Sequence, residues 1–211
     1  MGFANRVRHR IYTGYCERKF GVSTGGLIEA PVENRDSVGY KALEYEYLLW
    51  ALPAIPFAPA DVVFVDYGAG KGRVMLLASQ HPFAAVGGIE FAVELHDDAT
   101  MNIAQFPRSR MKCRNVECVL EDAAALGPLD TQAIHYFFDA FSSQVFGEVL
   151  AGIIAAYREH PRRLYLILIG QEGGELAEES GVFKRIELPV AERLRVKLFS
   201  PYNIAVYRSL A

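Results

Sequence analysis

From residue 61 to residue 181, apolar residues fall into two alternating patterns. Short and nearly continuous apolar runs predict buried strands within 61–68, 84–91, 115–123, 131–141 and 162–170. Apolar residues spaced by three or four positions predict helices within 72–82, 92–106, 142–161 and 173–181, the third with Ser142 as its N-cap. Repeated strand–helix units of this kind predict an α/β fold with a mostly parallel sheet and helices on both faces.

The last stretch, 182–209, contains two further strand-like runs around a proline-bearing loop. We find no helical pattern between them and predict an antiparallel C-terminal strand pair that closes one edge of the sheet. The pair brings the predicted sheet to seven strands.

The N-terminal part of the chain has a different organisation. Residues 5–21 predict a basic amphipathic helix that ends at Gly21, and 23–39 reads as an irregular loop. A second helix is predicted within 40–52, before a proline-rich connection that cannot continue it. We therefore predict an N-terminal helical extension or cap at 1–55 and the main domain at 56–211.

Composition and net charge limit the functional classes to which the protein can belong. The chain has 211 residues, of which 51% are hydrophobic and 22% charged, with a net charge of −3. These values are ordinary for a globular protein and give no global basic field, so we expect no nucleic-acid partner. The first helix does carry a basic cluster, which we interpret as a solvated face: Arg6, Arg8, Arg10, Arg18 and Lys19.

The N-terminal sequence, the lengths of the apolar stretches and the cysteine spacing together predict a cytoplasmic protein. The N-terminus does not have the pattern of a signal peptide, and no apolar stretch reaches the length of a membrane helix, so no membrane partner is expected. The cysteines Cys16, Cys113 and Cys118 form no CxxC pair, which argues against a disulfide framework or zinc site. No histidine has metal-ligand spacing, and we predict no metal.

A glycine-rich loop follows the first strand of the main domain with the pattern Asp66-x-Gly68-x-Gly70-x-Gly72. Its spacing fails the phosphate-binding GxxxxGK[ST] pattern, and Arg73 stands where the dinucleotide fingerprint needs its third glycine. We expect Lys71 and Arg73 to lie in a solvated first helical turn, and the alternative is that their charges face a phosphate group.

Acidic residues follow the first four strands of the main domain: Asp66, Glu90, Asp122 and Asp139. In an open parallel sheet, ligands bind beyond the carboxyl ends of the strands. Carboxylates at that edge suit a ligand with hydroxyl groups, an amino group and a positive centre.

This set of motifs, over about 35–208 and strongest over 62–122, resembles the class I S-adenosylmethionine-dependent methyltransferases. The likeness is greatest to small bacterial members that are distantly similar to the Dot-type lysine methyltransferases. The resemblance implies a Rossmann-like fold, S-adenosylmethionine as cofactor, and methyl transfer to a nitrogen or oxygen atom of a small-molecule or peptide acceptor.

The resemblance also implies roles for the motif residues. Asp66 would engage the amino group of the cofactor, Gly68 and Gly70 would let the backbone approach it, and Gly72 would serve helix packing. Glu90 would accept both ribose hydroxyls. The remaining residues would surround the adenine: Phe91 on its face or else in the core, Asp122 near its amino group or else as a cap, and Ala123 as a backbone donor.

Two residues are candidates for the acceptor side. Asp139 matches the motif after the fourth strand, but "DAFS" departs from the Asp-or-Asn-Pro-Pro-aromatic pattern of amino-methylating members, so its alternative role is a cap for the following helix. Tyr40 resembles a tyrosine that covers the methionine end of the cofactor, and its alternative role is packing on the sheet. Lys41 and Tyr45 are the other candidates for the covering role.

Three alternative functions stay open at this point. A protein lysine methyltransferase fits the same motifs, and a non-catalytic nucleotide- or protein-binding module of the same fold fits the altered "DAFS" segment. An NAD-linked oxidoreductase is opposed by Arg73 and by the acidic strand ends.

Overall fold

The computed structural model describes residues 3–28, 40–41, 45–56, 59–125, 127, 129–139 and 141–211, with the backbone alone for 3–10, 27–28, 40–41 and 59. A seven-stranded sheet forms the centre of the protein. Its strands are β3 (Val63–Tyr67), β4 (Ala85–Glu90), β5 (Val116–Leu120), β6 (Ala133–Phe138), β7 (Leu164–Ile169), β8 (Phe183–Ile186) and β9 (Ile204–Ser209).

The strand order is β5-β4-β3-β6-β7-β9-β8, and the pairs among β3 to β7 are parallel. Strand β9 runs antiparallel to both of its neighbours, β7 and β8. The order reverses direction between β3 and β6, so a crevice opens beyond their carboxyl ends. The predicted fold class is confirmed, including the antiparallel C-terminal pair.

The helices follow the predicted alternation. They are α3 (Arg73–Ala78), α4 (Val93–Gln105), α5 (Ser143–Glu159), α6 (Gly174–Glu179) and α7 (Val190–Phe199). The predicted N-cap of α5 is confirmed, because the Ser142 side chain accepts a hydrogen bond from the Val145 N–H at 3.4 Å. One prediction is wrong: α7 lies between β8 and β9, where no helix was expected.

The two faces of the sheet carry two hydrophobic clusters because side chains alternate along each strand. Phe64, Ile134 and Tyr136 belong to the cluster on one face, together with Val74 and Met75 of α3. Val65 and Phe137 belong to the other, together with residues of α5 and α6.

The N-terminal part consists of α1 (Phe3–Phe20), a two-stranded antiparallel pair of β1 (Leu27–Ile28) and β2 (Tyr40–Lys41), and α2 (Glu46–Ala51). Phe20, Tyr47 and Trp50 are buried in the same hydrophobic cluster as strands β3 and β6. This part therefore covers one face of the sheet. In the described ranges, no helix is both long and apolar enough to cross a bilayer.

Candidate functional site

The glycine loop leaves β3 and turns back into α3 over the tip of β4. The backbone N–H groups of Gly68 and Ala69 both donate to the carbonyl of Ile89 at 2.9 Å, which fixes the loop on the sheet. Gly68, Gly70 and Gly72 have φ angles of +74°, +54° and +79°. Residues with a Cβ rarely adopt these values, so the sequence pattern is required by the turn itself.

Glu90 joins this loop to the start of α4. Its side chain is buried, and its Oε2 accepts the Gly70 N–H at 2.8 Å while its Oε1 accepts the Ala92 N–H at 2.9 Å. A carboxylate has about four lone-pair sites, so each oxygen can accept a further hydrogen bond. The two hydrogen bonds from Gly70 and Ala92 hold the carboxylate in one orientation at the tip of β4.

Asp66 lies one strand away and is also buried, with 3% of its surface exposed. Burial, and then the charge of Glu90, raise the pKa of this carboxyl well above its ordinary value. The same two acids, after burial itself, raise the pKa of the Cys118 thiol to about 12. This part of the site is therefore electronegative and poorly solvated, which favours a ligand that carries positive charge.

Tyr136 is a neighbour of Asp66 that belongs to none of the sequence motifs. The two residues are register partners on β6 and β3, and Tyr136 is fully buried. Its hydroxyl has no hydrogen-bond partner among the described residues, and burial followed by the Asp66 charge raises its pKa. The period of two along both strands, once aligned, is the signal that identifies it.

The predicted adenine-side residues lie at the tips of β4 and β5. Phe91 is 49% exposed, so its alternative role in the core is excluded. Asp122 is exposed, and its Oδ1 accepts the Ala124 N–H at 2.9 Å within the turn that follows β5. Ala123 is buried in that turn. Asp122 thus caps a turn, while no helix begins there.

Asp139 follows β6 with a φ angle of +36°, the one positive value outside glycine in the described part of the chain. Its N–H donates to the Ile169 carbonyl at 3.1 Å, and its side chain is exposed at the tip of β6. Aspartate tolerates this backbone region better than most residues. Ser142, and not Asp139, occupies the N-cap position of α5.

The expectation that Lys71 and Arg73 are solvated is wrong. Lys71 is largely buried and forms an ion pair with Asp98 at 3.0 Å. Arg73 is 3% exposed, and its guanidinium lies 4.5 Å from the centroid of the Tyr45 ring. Its Nε donates to Thr24 Oγ1 at 2.9 Å, and its Nη2 lies 3.3 Å from Glu17 Oε1.

Arg73 thereby connects the glycine loop to the N-terminal part. Asn102 of α4 makes a second connection, because its side chain accepts from the Ser23 N–H at 2.8 Å and donates to the Lys71 carbonyl at 3.0 Å. Gly72 packs against the same helix, since a Cβ there would lie 3.3 Å from the Ala99 Cβ. No local sequence pattern pairs residues this far apart.

Tyr40 lies in β2 with its backbone paired to Ile28, and its side chain is outside the described residues. The fold brings together four of the predicted site residues, which are Asp66, Gly68, Gly70 and Glu90. The other four follow neighbouring strands at the same edge of the sheet: Phe91, Asp122, Ala123 and Asp139. Across the described ranges, no group of three or more His, Cys, Asp or Glu residues is placed to hold a metal ion.

Comparison with known proteins adds the following findings. No protein-family model matches the sequence, and no curated protein matches it. Several of the structural neighbours are methyltransferases. A ribosomal protein L11 methylase from Lactobacillus delbrueckii subsp. bulgaricus is 14% identical over 78% of this chain and 78% of its own, with a TM-score of 0.47.

Two further neighbours have similar values. An rRNA methylase from Streptococcus thermophilus is 13% identical over 86% of this chain and all of its own (100%), with a TM-score of 0.49. A TehB-like S-adenosylmethionine-dependent methyltransferase from Corynebacterium glutamicum is 17% identical over 72% of this chain and 82% of its own, with a TM-score of 0.46.

Proposed function

We propose that this protein transfers the methyl group of S-adenosylmethionine to a nitrogen or oxygen atom of a small-molecule or peptide acceptor. The observation that carries the proposal is the placement of Glu90. It is a buried carboxylate that receives the Gly70 N–H from the glycine loop and the Ala92 N–H from the start of α4. These bonds orient the carboxylate and leave each oxygen able to accept one ribose hydroxyl.

The other residues at this edge fit the remaining parts of the cofactor. The carboxyl of Asp66 is buried beside Glu90 and has a raised pKa for that reason. A cationic amino group bound there offsets both the burial and the like charge. Phe91 offers an exposed aromatic face to the adenine, and the turn at Asp122 and Ala123 offers a carboxylate and a backbone donor.

When bound, S-adenosylmethionine supplies an activated methyl carbon on a sulfonium centre. The task of the protein is then to hold an acceptor lone pair about 3 Å from that carbon. We assign acceptor positioning to Asp139, whose side chain is exposed at the tip of β6 and whose N–H is bonded to the end of β7. For an amine acceptor the Asp139 carboxylate favours the ammonium form, so the proton must leave before attack; for a hydroxyl acceptor it can accept the proton.

Tyr40 belongs to the N-terminal part that Arg73 connects to the loop, and it is proposed to cover the methionine end of the cofactor. We place the activity in the cytoplasm, where thiols such as the free and buried Cys16, Cys113 and Cys118 stay reduced.

The test is calorimetric titration with S-adenosylhomocysteine, with NADH as a second ligand. We expect the wild-type protein to bind S-adenosylhomocysteine and not NADH. We expect Glu90→Ala to weaken binding by about 1–3 kcal/mol, because charged hydrogen bonds to the ribose are lost. Glu94→Ala, four residues further along in the exposed first turn of α4, is the matched control and should bind as the wild type does.

The result separates the competing functions. Equal binding by both variants removes the proposed role of Glu90. Binding without transfer to any acceptor in a panel of amines, alcohols, carboxylates and lysine peptides would favour the non-catalytic module. Methyl transfer to lysine peptides, and to no other acceptor in the panel, would identify the activity as that of a protein lysine methyltransferase.

A further inference from the structure

Basic side chains follow one another on the surface just after α4. Burial alternates along this segment, with Met111 and Cys113 turned inward and Arg110, Lys112 and Arg114 exposed. Alternate residues lie at most about 7 Å apart along a chain. The alternation therefore produces a row of cations at short and regular spacing. Arg108, two positions before Arg110, adds one more exposed cation to this row.

The C-terminal end of α1 adds two more cations to this row. The rings of Phe20 and Phe106 pack with centroids 5.1 Å apart and join the two segments. The Lys19 ammonium lies 5.8 Å, and the Arg110 guanidinium 5.9 Å, from the centroid of the same Phe20 ring. Arg18 is exposed beside Lys19. We call this surface the basic face, and its members are Arg18, Lys19, Arg108, Arg110, Lys112 and Arg114.

Among the residues that the structure describes, no ion pair neutralises the basic face. Among the described residues, Glu17 precedes Arg18 in the chain and is already bonded to Arg73, while Glu117 lies on the edge strand β5. Six like charges repel one another, and the chain as a whole has a net charge of −3. The fold has therefore gathered positive charge on one face of an acidic protein.

We propose that the basic face binds a single strand of nucleic acid through its phosphate backbone. A phosphodiester chain presents one negative charge per nucleotide, which matches a row of cations that repeats at short intervals. Arginine contributes planar donor pairs that suit phosphate oxygens.

An aromatic side chain beside the cations supports this choice of partner. Tyr15 is 57% exposed on α1, and the Lys19 ammonium lies 5.3 Å from its ring centroid. A tyrosine next to a cationic track is the arrangement on which single-stranded bases stack. An acidic peptide uses the charges but has no need of the ring. The proposal goes beyond methyl transfer, because no member of the basic face belongs to the proposed cofactor site.

The test is fluorescence anisotropy with a labelled single-stranded 12-mer RNA and a DNA strand of the same sequence. The variant Arg110→Glu/Lys112→Glu is compared with Lys184→Glu/Arg185→Glu, which makes the same charge change on two exposed residues of β8 at the opposite edge of the sheet. We expect at least a tenfold loss of affinity in the first variant and less than twofold in the second. For six contacts, the logarithm of the binding constant should fall with the logarithm of salt with a slope of about −4.

Three results would overturn the proposal: no binding of either strand, an equal loss in both variants, or equal competition by a polyglutamate peptide of the same charge. The last would assign an acidic protein partner. Preferential binding of RNA or DNA supports the proposal and identifies the strand. Titration of the same variants with S-adenosylhomocysteine keeps this test separate from that of the proposed function, because both variants should retain the wild-type affinity.

Discussion

At Asp66 the protein keeps a carboxyl group in a place that disfavours its charge. The side chain is buried, and burial together with the Glu90 charge raises its pKa. A native group that holds its proton to a higher pH than the unfolded chain lowers stability as the pH rises between the two pKa values, because the native state binds more protons there. Such a cost is expected at a binding site and is relieved by a cationic ligand.

We therefore predict that Asp66→Asn stabilises the ligand-free protein at neutral pH and weakens S-adenosylhomocysteine binding. The stability gain should grow as the pH rises from about 4 through the raised pKa of Asp66 and vanish below about pH 4, where the carboxyl is protonated in both states. Urea unfolding of both proteins from pH 4 to 8 measures this difference. Asp98→Asn, at a partly exposed carboxylate paired with Lys71, is the comparison that should show no such gain. A gain for Asp66→Asn that does not change with pH would contradict the interpretation.

At the scale of elements, the position of the glycine loop depends on a glycine outside it. A Cβ on Gly88 of β4 would lie 2.2 Å from Met75 Sδ and 2.9 Å from the Ala69 Cβ. Ala69 stands between Gly68 and Gly70, so the loop can lie on the sheet only where β4 has no side chain. Gly87, one residue earlier, has 4.0 Å to its nearest neighbour.

We predict that Gly88→Ala lowers the free energy of unfolding by about 1–3 kcal/mol through overpacking and also weakens S-adenosylhomocysteine binding, because the loop must shift. Gly87→Ala is the matched control on the same strand, and it should leave both quantities close to the wild type. Chemical denaturation and calorimetry measure the two effects. Unchanged ligand affinity in Gly88→Ala would mean that the loop does not contact the cofactor.

Element boundaries also show where local patterns are ambiguous. Helix α7 was missed because Leu194, Val196 and Leu198 alternate with charged residues, which is the period of a strand. In the structure, Leu194 and Leu198 are exposed, and only Val196 packs partly against the core. The alternation in this segment therefore does not correspond to alternating burial. The packing of α7 against α2 determines its position in the fold.

At the scale of the whole molecule, the N-terminal part shares its core with the sheet. Phe20 and Trp50 are buried in the cluster that contains Phe64 and Tyr136. Arg73 and Asn102 add polar connections between this part and the glycine loop. We propose that residues 1–55 act as a cap that cannot unfold separately from 56–211.

The chain contains one tryptophan, Trp50, and it lies in the cap. We predict that its fluorescence and the far-ultraviolet circular dichroism of the whole protein follow one urea transition. Phe20→Ala should move both midpoints together and cost about 3–5 kcal/mol, because a buried ring is removed. Tyr15→Ala, on the exposed side of the same helix, should move neither by much. A tryptophan transition at lower urea would show that the cap unfolds alone.

The sequence by itself determined the alternation of strands and helices, the glycine turn and the acidic residues after four strands. These features depend on local backbone geometry and on the spacing of apolar side chains along the chain. Residues that are close in sequence determine both. The tertiary structure alone decided the burial of Arg73, the pairing of Asp66 with Tyr136 and the place of α7. It also gathered Lys19 and Arg110 around Phe20, although a net charge of −3 gave no sign of a basic face. Each of these depends on residues far apart in the chain, whose burial and charge are set only when the sheet brings them together.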